Sequence, residues 1–156
     1  MSHPNAALII RFYQAFQQLD AEAMARCYAD DVRFSDPVFT DLRGRDAGDM
    51  WRMLCARAKN FSLTFDGVSA DEHSGKARWV ATYVFSQTGN TVVNHIEASF
   101  VLRDGKIVEH RDHFDLWRWA GQALGTKGRL LGWAPFVQNA IRQQAGKGLA
   151  AFRKSR

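Results

Sequence analysis

Cysteine is scarce in this chain. The two that occur, Cys27 and Cys55, lie inside apolar patterns without metal-type spacing. No disulfide framework or cysteine metal site follows from them, and buried free thiols in a reducing, cytoplasmic compartment are expected. Long apolar runs are missing too. Nothing approaches the ~18 consecutive apolar residues of a membrane span. The opening Met-Ser-His-Pro-Asn has no charged segment leading into an apolar one, so no signal peptide is expected. There is no internal repeat and no low-complexity segment. Acid is absent from one whole stretch. Residues 116–156 carry eight Lys and Arg and no Asp or Glu, a balance of +8, whereas residues 1–115 carry 13 Lys and Arg against all 16 Asp and Glu, a balance of −3. The net charge of +5 therefore belongs to the tail. A basic tail can attract nucleic acid or anionic lipid, pack on the acidic body, or keep the protein in solution. These cations are spread thinly with no reader motif around them, so neither a nucleic-acid nor a membrane partner is expected.

What is present fits one globular domain: 156 residues, 46% hydrophobic and 12% aromatic, enough to bury a core. Pro4 suits a first helical position, and Leu8, Phe12, Phe16 and Leu19 follow at helical spacing with Ile9 and Tyr13 beside them. Asp20 caps a second, short helix through Met24 and Tyr28. After a break at Ala29-Asp30-Asp31, the residues Val32 to Asp36 alternate as a short strand, with Val32, Phe34 and Asp36 on one side. Pro37 limits further pairing. Residues 44–48 read as a loop, and Met50-Trp51, Leu54-Cys55 and Ala58 as a third helix. From Phe61 to Asp115 the pattern is sheet, with strands near 61–70, 76–87, 91–102 and 106–115 joined by short connectors. Helices first and a meander of long antiparallel strands second predict an α+β fold, with helices covering one face of a strongly curved sheet.

The tail adds a helix near 116–124, a glycine-containing link at 131–135 and a last helix over about 135–146, frayed from Arg142 onward. The expected division is a body over 1–115 and a basic, tryptophan-containing helical extension over 116–156 packed on it. Trp117, Trp119, Leu124, Leu130, Leu131, Trp133 and Phe136 make this extension too apolar to float, so it is expected to fold back as a lid or into a dimer seam.

The most informative stretch is 102–115. Asp104-Gly105 between Phe100-Val101-Leu102 and Ile107-Val108 reads as a β-hairpin. Its second strand carries His110, Asp112 and Phe114 on one side. The register of the hairpin decides the face of Glu97. A two-residue loop puts Glu97 on the side of Asp112. A three-residue loop with a glycine bulge pairs Glu97 with Arg111 on the opposite face and turns Ile96, Ala98 and Phe100 inward. The bulged loop separates apolar from polar better and is favoured. His95 and His113 then fall outside with Glu97 and Arg111, as solvated or dimer-surface residues, and no metal motif is present.

Three segments carry a resemblance: Phe12-Tyr-Gln-Ala-Phe16 leading to Tyr28-Ala-Asp-Asp-Val32, then Phe34-Ser-Asp-Pro-Val38, then Asp104-Gly-Lys-Ile107 through Arg111-Asp-His-Phe-Asp115. Over residues 5–115 the chain resembles the cone-shaped α+β superfamily of nuclear transport factor 2, ketosteroid isomerase, SnoaL-type polyketide cyclases and limonene epoxide hydrolase. The resemblance implies a deep, mostly apolar pocket at the open end of the cone, a small apolar ligand, no cofactor, and a homodimer. It also places Asp36 on the isomerase's general base and Tyr13 near its oxyanion-hole tyrosine, with the spacing one residue short. In that enzyme, itself a familiar worked case of carboxyl tuning, a base moves a proton between carbons while a tyrosine and a protonated acid stabilise the dienolate oxygen. The hydrolase resembles this chain at Arg111-Asp112-x-Phe114-Asp115, but its Arg-x-Asp pair falls on Trp79 and Ala81 here, which cannot activate water between two aspartates.

Each candidate has a plainer reading beside the functional one. Asp36 before Pro37 is a common turn starter; facing inward in an apolar pocket it is a base tuned toward neutral pH. Asp112 and His110 are either a buried pair satisfying each other or a proton-transfer device. Tyr13 is either core or an oxyanion donor. Phe16, Phe34, Trp51, Trp79, Tyr83, Asn94, Ile96, Ala98 and Phe114 are expected to line the pocket, unless side chains fill it. The expected activity is cofactor-independent acid–base chemistry, isomerase-like or cyclase-like, on an apolar carbonyl compound. The alternative is a non-catalytic binding or accessory module.

Overall fold

The computed structural model describes residues 3–155. Helix α1 (Pro4–Gln17) starts at the predicted proline, with the His3 side chain accepting the Asn5 N–H. Its inward stripe of Leu8, Ile9, Phe12, Tyr13 and Phe16 is buried. Helix α2 (Ala21–Arg26) is capped by the Asp20 carboxylate, which accepts the Ala23 N–H. It stops before Tyr28, not at it, because Tyr28 opens strand β1 (Tyr28–Ser35). The expected break at Ala29-Asp30-Asp31 is an irregularity inside that strand. β1 pairs in parallel with the last strand at Tyr28–Ile107 and again from Arg33–Glu109, so the intervening residues bulge out of register.

Strand β2 (Leu42–Arg43) is a two-residue hairpin partner of β1. Helix α3 (Arg45–Arg57) starts inside the stretch expected to be loop. Gly44, at φ 57°, turns the chain into the helix, a conformation most side chains resist. Strands β3 (Ser62–Ala70), β4 (Ser74–Val84), β5 (Thr91–Arg103) and β6 (Lys106–His113) follow as an antiparallel meander. The sheet order is β2-β1-β6-β5-β4-β3, with β1 the one strand lying parallel to its neighbour β6.

β5 shows why the sheet has two different faces. Val92, Asn94, Ile96, Ala98, Phe100 and Leu102 are buried, and every residue between them is exposed. That strict alternation matches a sheet with helices on one side and solvent on the other. The β5–β6 turn explains the register. Asp104 and Gly105 both have positive φ, so the loop is the two-residue kind. The pairing then slips by one between Val101 and Leu102, and Val108 is the extra residue. The bulge therefore lies inside β6 and not in the loop. Its consequence for the faces is the favoured one: Ile96, Ala98 and Phe100 point in, while Glu97 and Arg111 point out. The partner of Glu97 is His113 and not Arg111.

The extension forms α4 (Leu116–Leu124), a short α5 (Thr126–Leu131) that the sequence reading did not anticipate, and α6 (Pro135–Lys154). α6 does not fray from Arg142. Leu149 is buried, the Arg57 guanidinium lies over the Phe152 ring, and Arg153 pairs with Asp46 and Asp49 of α3. The basic tail thus packs on the acidic body, which anchors residues that composition alone marks as polar and glycine-rich.

Candidate active site

Strand alternation and helix periodicity bring the polar candidates to the inner side of the sheet. β6 aims His110 and Asp112 inward, and both are buried. α1 contributes Tyr13 from above, fully buried, stacked on Phe65 with ring centroids 5.4 Å apart. Asp36 follows directly on β1, partly exposed, where Pro37 ends the strand.

His110 sits in a directed chain of hydrogen bonds. The Trp51 indole N–H donates to the Tyr28 hydroxyl at 2.8 Å. The Tyr28 hydroxyl and His110 Nδ1 are 2.8 Å apart, and His110 Nε2 and Asp112 Oδ1 are 2.9 Å apart. An indole can only donate, so Tyr28 accepts from Trp51. If Tyr28 gives its own proton to Nδ1, His110 is neutral and donates its Nε2–H to Asp112. Every group is then used once in one direction, and this network fixes the tautomer. A doubly protonated ring would leave the buried Tyr28 proton without an acceptor. The Trp79 indole N–H also reaches Asp112 Oδ1, at 3.4 Å. The rings of Phe12, Phe34, Trp51 and Phe100 enclose the imidazole, with Phe100 at 4.4 Å. This end of the interior is filled.

Asp36 does two things at once. Its Oδ1 accepts the N–H groups of Val38 at 2.7 Å and Phe39 at 2.6 Å, as a turn-starting aspartate does. Its carboxyl is nevertheless pushed up to about 7. Burial is the main cause, opposed by the Phe39 and Val38 N–H bonds and assisted by the negative charge of Asp112. The turn occupies one oxygen only, and Oδ2 makes no hydrogen bond among the described residues.

Further unpaired polar groups face the same interior. The Tyr13 hydroxyl is buried without any hydrogen-bond partner among the described residues. Its proton is held far more tightly than usual, first by burial and then by the Asp112 charge. Asn94 on β5 is buried and its amide makes no hydrogen bond among the described residues. Tyr83 accepts from the Trp119 indole of α4 at 2.8 Å, which leaves its own proton to donate. Burial raises the Tyr83 hydroxyl, with the Asp36 charge adding to it and the Trp119 bond opposing.

The remaining candidates divide by depth. Phe16, Phe34, Trp51, Trp79 and Phe114 are packed into the core. Phe16 meets Trp51 and Phe61 with centroids 5.0 Å away and Trp79 at 5.5 Å. Ile96, Ala98 and Asn94 form the inward row of β5, opposite Trp79, Ala77 and Ala81 of β4. An open groove of about 940 Å³ is lined by Asp36, Pro37, Ala98 and Asp112 together with the outward-facing Lys76, Arg78, Glu97, Ser99, Arg111 and His113, so it opens largely on the solvent face of the sheet. Among the described residues no cluster of three or more His, Cys, Asp or Glu is placed to hold a metal ion. Sequence reading missed Tyr28 and Trp119. Tyr28 shares the strand parity of Val32 and Phe34, a signal hidden by the polar Asp30 between them.

Comparison with known proteins fits this arrangement. The chain covers 96% of an LEH-like epoxide hydrolase of M. tuberculosis with 85% of its own length, at a TM-score of 0.66 and 20% identity. It matches a proposed polyketide cyclase of Xanthomonas campestris pv. campestris at a TM-score of 0.65 and 22% identity, covering 77% of this chain and 96% of that one. A proposed polyketide cyclase of Streptomyces antibioticus, IdmH, gives 0.64 and 24%, covering 80% of this chain and all of that one. At such identities the likeness is one of fold. Among curated proteins nothing matches significantly. The SnoaL-like domain model matches residues 9–110, well over half the chain and including all of β1 through to His110. On that match, and on the six-stranded curled sheet that it shares with ketosteroid isomerase-like and other NTF2-like proteins, the chain belongs to the SnoaL-like family.

Proposed function

We propose that this protein catalyses cofactor-independent acid–base chemistry on an apolar carbonyl compound. Asp36 is the base, Tyr13 the oxyanion donor, and Asp112 with His110 a second proton-handling pair. The observation that carries the reading is the Tyr13 hydroxyl, buried with no hydrogen-bond partner among the described residues, together with the Asp36 carboxyl pushed up to about 7, the charge of Asp112 acting on both. Leaving such a donor unmet costs about 1–3 kcal/mol, a cost that a ligand oxygen would remove.

The chemistry follows in order. Ionised Asp36 takes a proton from the carbon next to the carbonyl. The electron pair moves to the oxygen, which accepts a hydrogen bond from Tyr13. The proton then returns to another carbon, giving isomerisation, or the enolate carbon attacks a second carbonyl, whose oxygen takes the proton back from Asp36 as an alcohol, giving an aldol-type cyclisation. Electrons and protons balance without a cofactor. Trp79, Ile96, Ala98 and Phe114 supply apolar walls, and Asn94 and Tyr83 offer further donors. Epoxide hydrolysis, the activity named for one structural neighbour, is not proposed, because Trp79 and Ala81 stand where an arginine and a second aspartate would position water.

Asp36→Asn keeps the Oδ1 acceptor for Val38 and Phe39, so the turn survives while the base is lost. Assayed on β,γ-unsaturated ketones and on keto-substrates able to cyclise, the variant should lose about a hundredfold or more in kcat. The wild-type rate should rise with pH through about 7 as Asp36 ionises. The second reading, a non-catalytic binding module, draws on the rings filling the space around His110. An unchanged rate in Asp36→Asn would favour that reading.

A further inference from the structure

The extension holds an apolar surface that the fold leaves uncovered. Phe136 is 69% exposed, Leu130 67%, Trp133 56% and Trp117 48%, with Leu131 beside them. The sequence expectation of a lid explains part of the segment only: Trp119 turns inward to Tyr83, while these five do not.

They stand on a locked platform, not on a loose end. A Cβ on Gly128 would overlap the Ala120 carbonyl, so α5 is pressed backbone-to-backbone on α4. Gly132 meets Ala120 and the Trp117 ring in the same way. The indole donors are already used: Trp117 donates to the Arg129 carbonyl at 3.0 Å, and Trp133 to the Leu130 carbonyl at 2.9 Å. Spent donors lower the cost of taking these rings out of water. Arg118, Lys127 and Arg129 lie among them, all exposed, and none of their side chains is in an ion pair or hydrogen bond among the described residues. By contrast, Arg142 and Arg153 further along bind Pro37, Asp46 and Asp49.

We infer that, against the sequence expectation of no membrane partner, this corner of α4, α5 and the start of α6 docks on an anionic lipid surface. Free cations interleaved with exposed aromatic and aliphatic side chains, without a single acid across residues 116–156, match the charge and polarity of such a surface. A second copy of the chain fits less well, since a two-fold contact would set the same cations against each other. A partner of fixed shape would also be read through directional donors, and the indole donors here point back into the protein. No helix of the described residues is long and apolar enough to cross a membrane, so the contact is peripheral.

The test uses the full chain with vesicles of phosphatidylcholine, alone or with a third replaced by phosphatidylglycerol. Binding is read by flotation and by tryptophan emission. The expected result is binding to the anionic vesicles with a blue shift, weakened by salt. The triple change Arg118→Gln, Lys127→Gln, Arg129→Gln should weaken it about tenfold or more. Leu130→Ser with Phe136→Ser should abolish it, with an unchanged far-UV dichroism spectrum showing that the fold persists. No binding, or binding indifferent to both sets of changes, would overturn the inference. So would a concentration-dependent dimer that the Leu130→Ser, Phe136→Ser variant dissociates.

Discussion

At the scale of single residues, the interior contains two kinds of polar group. The Trp51–Tyr28–His110–Asp112 chain is satisfied along its length, so it both stabilises the fold and holds the proposed His110–Asp112 proton-handling pair in one orientation. Tyr28→Phe would strand an indole donor and a ring nitrogen together, so thermal or urea unfolding should show a loss of about 2–4 kcal/mol. Tyr13 is the opposite case. Tyr13→Phe removes a buried hydroxyl that has no partner, so the free protein should be unchanged or about 1 kcal/mol more stable, while activity falls about a hundredfold. A fall in both stability and activity would make Tyr13 a packing residue. His110, Asp112 and the inward side of Asp36 are legible from strand alternation. Tyr28 is not, because its acidic neighbours imitate a loop and its partners come from α3 and β6.

Among the elements, alternation made β3 to β6 readable, most clearly in β5, which buries every second residue, and least in β3, where Leu63 alone is buried. What periodicity could not give was the position of the β6 bulge, which depends on the positive φ at Asp104 and Gly105 selecting a two-residue turn. α5 was invisible for a similar reason. It has six residues, and what fixes it is steric contact of Gly128 with α4, not an apolar stripe of its own. Gly128→Ala should therefore unseat α5. Hydrogen exchange should show lost protection across residues 126–131 with the sheet unaffected. Unchanged protection there would mean that α5 is held by something other than this close approach.

For the molecule as a whole, the acid-free extension and the acidic body close on each other, and helices α1 and α3 cover the curled sheet. The extension reaches the Asp36 turn, where the Arg142 guanidinium donates to the Pro37 carbonyl, and burial is the main cause of the raised Asp36 carboxyl. An aspartate titrates near 3.9 in an unfolded chain and near 7 here. The folded protein keeps the proton between these values and the unfolded chain does not. This group's contribution to stability is therefore fully present below about pH 4 and is lost as pH rises toward 7, by roughly 2–4 kcal/mol. Asp36→Asn should flatten that decline, so that the variant is the more stable protein at pH 8 in urea unfolding. Asp112 adds to the shift through its charge, so Asp112→Asn should bring the Asp36 titration down. The most direct measurement is the carbon-13 titration of the Asp36 carboxyl by NMR, in the wild type and in Asp112→Asn. A midpoint near 7 that falls in the variant is the predicted result, and a midpoint near 4 in both proteins would contradict a base held in readiness by the fold.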